Sequence, residues 1–190
     1  MNQFIEPSLV GWPVAGELTE LCDFLHEAIE HSVVPERDRA ASYVAAQLSS
    51  GVPRDDADYD PILRAEAKER ALTIACFLFG FAFFEARTVE VAVRKGMSKQ
   101  KDTIAEAIAF LDRTMGPPAC GTDRLKLIAA LRNRVAHDGG GFTKRLRKEA
   151  APLVASGEIR KFMFDDVVFD EDFVSRAFKD LVDAYAHWTP

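Results

Sequence analysis

The run ALTIACFLFGFAFF, residues 71–84, carries no charged side chain, and it lies inside a longer segment from Asp60 to Gly96 that only Gly80 interrupts. Pro61 suits the first turn of a helix and Asp60 the capping position before it. The spacing predicts one helix of about thirty residues, roughly 50 Å long at 1.5 Å per residue. A helix apolar on every side is stable in water only when neighbours surround it, or when another subunit covers what they leave bare. Residues 60–95 are therefore expected to be the hub of a bundle. The uncharged run falls short of the ~20 residues that cross a bilayer, so it is read as a buried core helix of a soluble protein.

The rest of the chain supplies the neighbours. After an irregular start with Pro7, Pro13 and Gly16, the residues Leu18, Leu21, Cys22, Leu25, Ala28 and Ile29 recur at helical spacing, and Pro35 is expected to end that helix. A second helix runs to about Ser50, carrying Tyr43, Val44 and Leu48 and stopping at Gly51. Beyond the hub, Ile104, Ile108 and Leu111 mark a helix over residues 98–114. Thr122 can cap the next, which carries Leu125, Ile128, Leu131 and Val135 up to the glycines at 139–141. Residues 144–155 are helical with an interruption at Pro152. IRKFMFDDVVFD, residues 159–170, alternates about Asp165 and Asp166 as a small β-hairpin would, and Asp170 can cap a last helix with Phe173, Ala177, Leu181 and Tyr185. The expected fold is all-α: an up-and-down bundle of about six helices with a minor hairpin near residues 159–169, one domain over residues 1–190.

Composition narrows the function classes. With 190 residues, 48% apolar and 28% charged, the chain resembles an ordinary globular protein with a real core. A net charge of −6 excludes a surface that is basic throughout, so any nucleic-acid footprint must be local. Cys22, Cys76 and Cys120 are odd in number and far apart, two of them in apolar helical patterns, which suits small core residues in a reducing cytoplasm. His26, His31, His137 and His187 do not cluster and no Cys-x-x-Cys step occurs, so no metal is expected. MNQFIEPSLVGWP at the start has neither a basic region nor an apolar run, and no secretory signal is expected. Neither a Gly-x-Ser-x-Gly nor a Gly-Lys-Ser/Thr loop is present, which argues against acyl-transfer and phosphate-loop enzymes.

LRNRVAHDGGG, residues 131–141, gathers two arginines, an asparagine and a histidine just before a glycine stop. At about 100° per residue, Leu125, Ile128, Leu131 and Val135 form the core face, and Asn133 and His137, four apart, lie opposite it. Arg132 lies roughly 140° from His137, close to the apolar stripe, and a buried arginine needs a carboxylate. Glu85, which interrupts the apolar hub between Phe81, Ala82, Thr88 and Val89, is the candidate partner. Such a pair can simply hold two helices in register, and a histidine in a last turn is favoured by the helix C-terminus alone. Residues 124–148 hold Arg124, Lys126, Arg132, Arg134, Lys144, Arg145, Arg147 and Lys148 against the single acid Asp138, a local excess of seven positive charges. A phosphate backbone requires such a concentration; a solvated helix face would also show it.

Arg132, Asn133 and His137 match the Arg-x4-6-His signature of HEPN domains in its Arg-Asn-x-x-x-His form. Phe84-Glu85 in the central helix, the glycine exit, the hairpin and a terminal helix follow the family's order. Over about residues 61–188 the chain resembles a HEPN domain, and residues 1–50 are an N-terminal helical extension with no family counterpart. The resemblance implies a metal-independent endoribonuclease of the kind found in toxin and antiviral defence systems. It further implies a homodimer whose two motifs meet in a shared cleft, RNA as substrate, no cofactor and no membrane. An antitoxin or regulatory protein is a further partner the family allows. The residue types suit the chemistry, since attack by the ribose 2′-hydroxyl needs a base for its proton, an acid for the 5′-oxygen and positive charge at the phosphorane, and histidine titrates near neutral pH.

Each chain offers one such histidine, so His137 from two subunits would supply base and acid together. Asn133 would bond the phosphate or fix the imidazole. Arg132 by motif position, or Arg134 by its angle to His137, would stabilise the transition-state charge, with Glu85 orienting an arginine. Lys126, Lys144, Arg145, Arg147 and Lys148 are the expected RNA-binding cations. Two other readings use the same residues: a non-catalytic HEPN module that binds RNA or nucleotide or mediates dimerisation, and a helical protein in which Arg132 and Glu85 are structural and the basic run is only solvated.

Overall fold

The computed structural model describes residues 14–98, 103–137, 144–161 and 167–189. Their order is α1 (Val14–Ala28), a π-helical turn (Ile29–Val33), α2 (Val34–Ser49), α3 (Asp60–Arg94), α4 (Ile104–Met115), α5 (Thr122–His137), α6 (Lys144–Ala155), β1 (Arg160–Lys161), β2 (Val167–Val168) and α7 (Glu171–Trp188). The class is all-α. The two short strands pair antiparallel, Arg160 with Val168 and Lys161 with Val167. Residues 162–166, where the turn of the expected hairpin falls, lie outside the described residues.

Pro35 does not end the first helix. Its ring removes one N–H and crowds the carbonyl four residues back. The chain absorbs this by widening just before the proline, where the Val34 N–H reaches the carbonyl of Ile29. Helix α2 then continues with Pro35 in its first turn. Counted as one path, α1 and α2 leave six helical bodies among the described residues.

Other boundaries shift for local reasons. Asp60 is the first residue of α3 rather than its cap: Tyr59 occupies the cap position without a side-chain bond, and the Asp60 N–H donates to the Asp58 carboxylate at 3.0 Å. Helix α4 begins at Ile104 instead of near residue 98, because Thr103 caps it by accepting from the Glu106 N–H and donating its hydroxyl to the Glu106 carboxylate at 2.9 Å. Thr122 opens α5, but its hydroxyl is buried without a hydrogen-bond partner among the described residues, so it caps nothing. Pro152 stays within α6 instead of interrupting it. Asp170 caps α7 through the Phe173 N–H at 2.8 Å.

Helix α3 runs 35 residues and packs against α1, α2, α4, α5 and α7. Phe77, Phe81 and Phe84 are fully buried on it, and Phe77 stacks on Phe169 at 5.5 Å between centroids. Phe169 in turn meets Phe173 at 4.9 Å. Helix α1 and the π turn belong to the same core and contribute Val14, Leu18, Leu25, Ile29 and Val33. Gly80 marks the crossing of α3 by α7, since a Cβ there would lie 2.2 Å from Cζ of Phe178. All three cysteines are free, and burial pushes each thiol above its usual range. By length and composition α3 could also cross a membrane, and 39% of its most apolar eighteen-residue stretch is buried.

Candidate functional site

Leu125, Ile128, Leu131 and Val135 are buried on one side of α5, and this fixes the rotation of the helix. Arg132 is thereby turned toward α3, where its Nη2 meets Oε2 of Glu85 at 3.2 Å. Its Nη1 donates to Oδ1 of Asn133 at 2.9 Å, and its Cζ stands 5.6 Å from the centroid of the Phe81 ring. The Nε is buried without a hydrogen-bond partner among the described residues. Glu85 is held in position by its neighbour Phe84, which is wholly buried. The expectation of a buried pair is corrected, because Arg132 and Glu85 keep side-chain exposures of 23% and 28%. Solvent at the open edge limits such a pair to about 1 kcal/mol. A guanidinium fixed on three sides and open on a fourth can receive an anion, or it can simply tie α5 to α3.

Arg124, one of the eight cations counted in the sequence, is committed elsewhere. Its Nε bonds Oδ2 of Asp180 on α7 at 2.9 Å, and its Nη2 bonds Oε2 of Glu158 after α6. Burial works against its charge, but these two carboxylates outweigh burial and raise its pKa. It clamps three segments together and is withdrawn from any ligand. Cys120, Arg176 and Lys179 line the same open cleft of about 330 Å³. Neither Glu158 nor Asp180 was singled out by spacing or composition. Both are ordinary surface acids in sequence and become partners only once α7 folds back over α5.

Of the remaining candidates, Asn133 and Lys148 are exposed, and Lys126 is exposed with Asp123 3.9 Å away. Arg134 is half-buried and engaged by a neighbour. His137 is the last residue of α5, and Lys144, Arg145 and Arg147 fall in the first turn of α6, which packs on α5. The side chains of these four lie outside the described residues. The structure thus brings together Arg132, Asn133, Glu85 and Phe81, and it separates Arg124 from them. No three His, Cys, Asp or Glu side chains converge as metal ligands among the described residues.

No family model matches the chain, and neither the curated proteins nor the solved structures include a match to it. The resemblance to HEPN domains therefore rests on the Arg132, Asn133 and His137 spacing and on the residues around it.

Proposed function

We propose that the chain is a metal-independent endoribonuclease of HEPN type, working as a cytoplasmic homodimer in a toxin or defence setting. The observation that carries this reading is the orientation of Arg132. Glu85 at 3.2 Å, Asn133 at 2.9 Å and the Phe81 ring hold its guanidinium on the helix that ends at His137. In the proposed reaction one His137 takes the proton from a ribose 2′-hydroxyl, and that oxygen attacks the adjacent phosphorus. The bond from phosphorus to the 5′-oxygen breaks, and the second His137 protonates the leaving oxygen. The products are a 2′,3′-cyclic phosphate and a 5′-hydroxyl. Arg132 or Arg134 would neutralise the charge that grows on the equatorial phosphate oxygens, and Asn133 would hydrogen-bond the same phosphate.

The test is cleavage of end-labelled single-stranded RNA in chelator with analysis of the termini. Wild type should leave cyclic phosphate and 5′-hydroxyl ends, His137→Ala should abolish cleavage, and Arg132→Ala should slow it by roughly 10²–10³-fold. Equal cleavage by wild type and both variants would remove the assignment. A second reading, a helical protein in which Arg132 and Glu85 are structural and the basic run is only solvated, is favoured by one observation: the Arg132 guanidinium already has a carboxylate partner. Neither cleavage nor binding of the same RNA would select it.

A further inference from the structure

Helices α2 and α3 run antiparallel and are tied to each other at both ends. Lys68 donates to the Glu36 carboxylate at 2.7 Å and Arg37 to that of Glu69 at 3.2 Å, while the Asp58 N–H donates to Oε1 of Gln47 at 2.8 Å. The same offset sets Arg39 opposite Arg64 and Tyr43 opposite Pro61. Between the ties lies an open cleft of about 320 Å³, lined by Glu36, Arg39, Ala40 and Tyr43 from α2 and by Pro61 and Arg64 from α3. The spacing i, i+3, i+4, i+7 puts the four α2 residues on one face of their helix. Ala40 is short and buried, so it leaves the space between the longer side chains open.

The acids of this surface are already matched. Glu36 takes Lys68, whose hydrogen bond and charge hold the Glu36 carboxyl below its usual range, and Glu69 takes Arg37. Arg39 and Arg64 are exposed and line the cleft, yet neither makes a hydrogen bond or an ion pair with any described residue. Asp60, one turn before Arg64, does not pair with it. Two guanidiniums that face one cleft repel each other, and an anion placed between them turns that repulsion into attraction. Tyr43, 47% exposed, adds an aromatic wall beside Pro61.

We infer that this cleft binds a phosphate monoester carried on a flat ring system, with the phosphate between Arg39 and Arg64 and the ring against Tyr43 and Pro61. A monoester carries about 1.5–2 negative charges near neutral pH and so matches two unpaired guanidiniums, whereas a carboxylate or a phosphate inside a nucleic-acid strand carries only one. The guanidinium fork also fits phosphate oxygens in geometry. A volume at the lower end of the ~300–1,000 Å³ found for ligand sites admits one small molecule or one terminal nucleotide, not a longer ligand. Arg39 and Tyr43 lie in the N-terminal extension, and Arg64 stands about 30 Å along α3 from Glu85. The site is thus separate from the Arg132 cluster and does not depend on the ribonuclease reading.

Isothermal titration of the full chain with AMP tests it. AMP should bind about tenfold or more tightly than adenosine or inorganic phosphate, because each of these lacks one of the two contacts. Arg39→Gln and Arg64→Gln should each weaken AMP about tenfold or more, and Tyr43→Ala about tenfold without changing the binding of inorganic phosphate. Circular dichroism should be unchanged, because all three side chains are exposed. Lys148→Gln removes an equal charge on α6 and should bind AMP as wild type does, as should His137→Ala, so loss of RNA cleavage and loss of this site are read separately. Two sources present the same chemistry, and displacement of AMP by short single-stranded RNA distinguishes them. A 5′-phosphorylated strand that competes better than AMP assigns the site to RNA ends, and one that competes no better assigns it to free mononucleotides. No binding of AMP at millimolar concentration, AMP no tighter than adenosine, a 5′-hydroxyl strand that displaces AMP as well as the phosphorylated one, or an equal loss in Lys148→Gln would each overturn the inference.

Discussion

His26 shows how much a single titrating contact can do between helices distant in sequence. Its Nδ1 lies 2.8 Å from Oε1 of Glu171, so the last turn of α1 is tied to the first turn of α7. The hydrogen bond to Glu171, then the charge of Glu171, raises the pKa of the imidazole. Because the folded value lies above the unfolded one, the contribution to stability is complete below about pH 6.5 and is lost as pH rises through the folded value. His26→Gln should accordingly lower the melting temperature slightly in mildly acidic buffer and leave it unchanged in alkaline buffer. A difference that grows with pH would contradict the assignment. No sequence pattern joins His26 to Glu171. Arg132 and Glu85 were legible because each breaks an apolar pattern on its own helix, so each needed an opposite charge. The carboxylates around Arg124 break nothing locally, and only the packing of α7 brings them to it.

At the scale of elements, the crossing of α3 by α7 depends on the missing side chain at Gly80. Alanine there would gain about 1 kcal/mol of helix propensity. Its Cβ would, however, meet Cζ of Phe178 at 2.2 Å, and the Phe178 ring is itself buried and has nowhere to retreat. Overpacking of this kind costs typically 1–3 kcal/mol, so Gly80→Ala should be net destabilising, by up to about 2 kcal/mol in urea denaturation. Phe178→Leu, destabilising alone, should recover part of that loss in the Gly80→Ala background. Simple addition of the two costs would show that the helices do not touch here. The sequence signalled α3 by its uncharged apolar run and the lack of breakers up to Gly96, and it predicted the Asp170 cap correctly. It failed at Pro35 because a proline breaks a helix only when the preceding turn cannot widen, and whether it can is decided by Ile29 and Val33 packing into the core.

For the molecule as a whole the question is how much positive charge reaches a ligand. Eight cations crowd residues 124–148, but folding gives Arg124 two carboxylates and Arg132 one. These acids come from α3, from the turn after α6 and from α7, so a count along the chain overstates the footprint in space. Arg124, held by both of its carboxylates, is the one withdrawn, so at most seven are left to displace counterions from RNA. On single strands each neutralised phosphate contributes about −0.7 to the slope of log affinity against log salt, so seven contacts give a slope no steeper than about −4.9, whereas all eight would give about −5.6. Filter binding of wild type to a single-stranded RNA across a salt series measures that slope. Arg124→Gln, assayed well below its melting temperature, should leave the slope unchanged because Asp180 and Glu158 already hold that guanidinium. Lys148→Gln, which removes an exposed charge, should make the slope shallower by about 0.7. A slope near −5.6, or a shallower slope in Arg124→Gln, would mean that the carboxylates release the arginine to the RNA and that the clamp opens on binding.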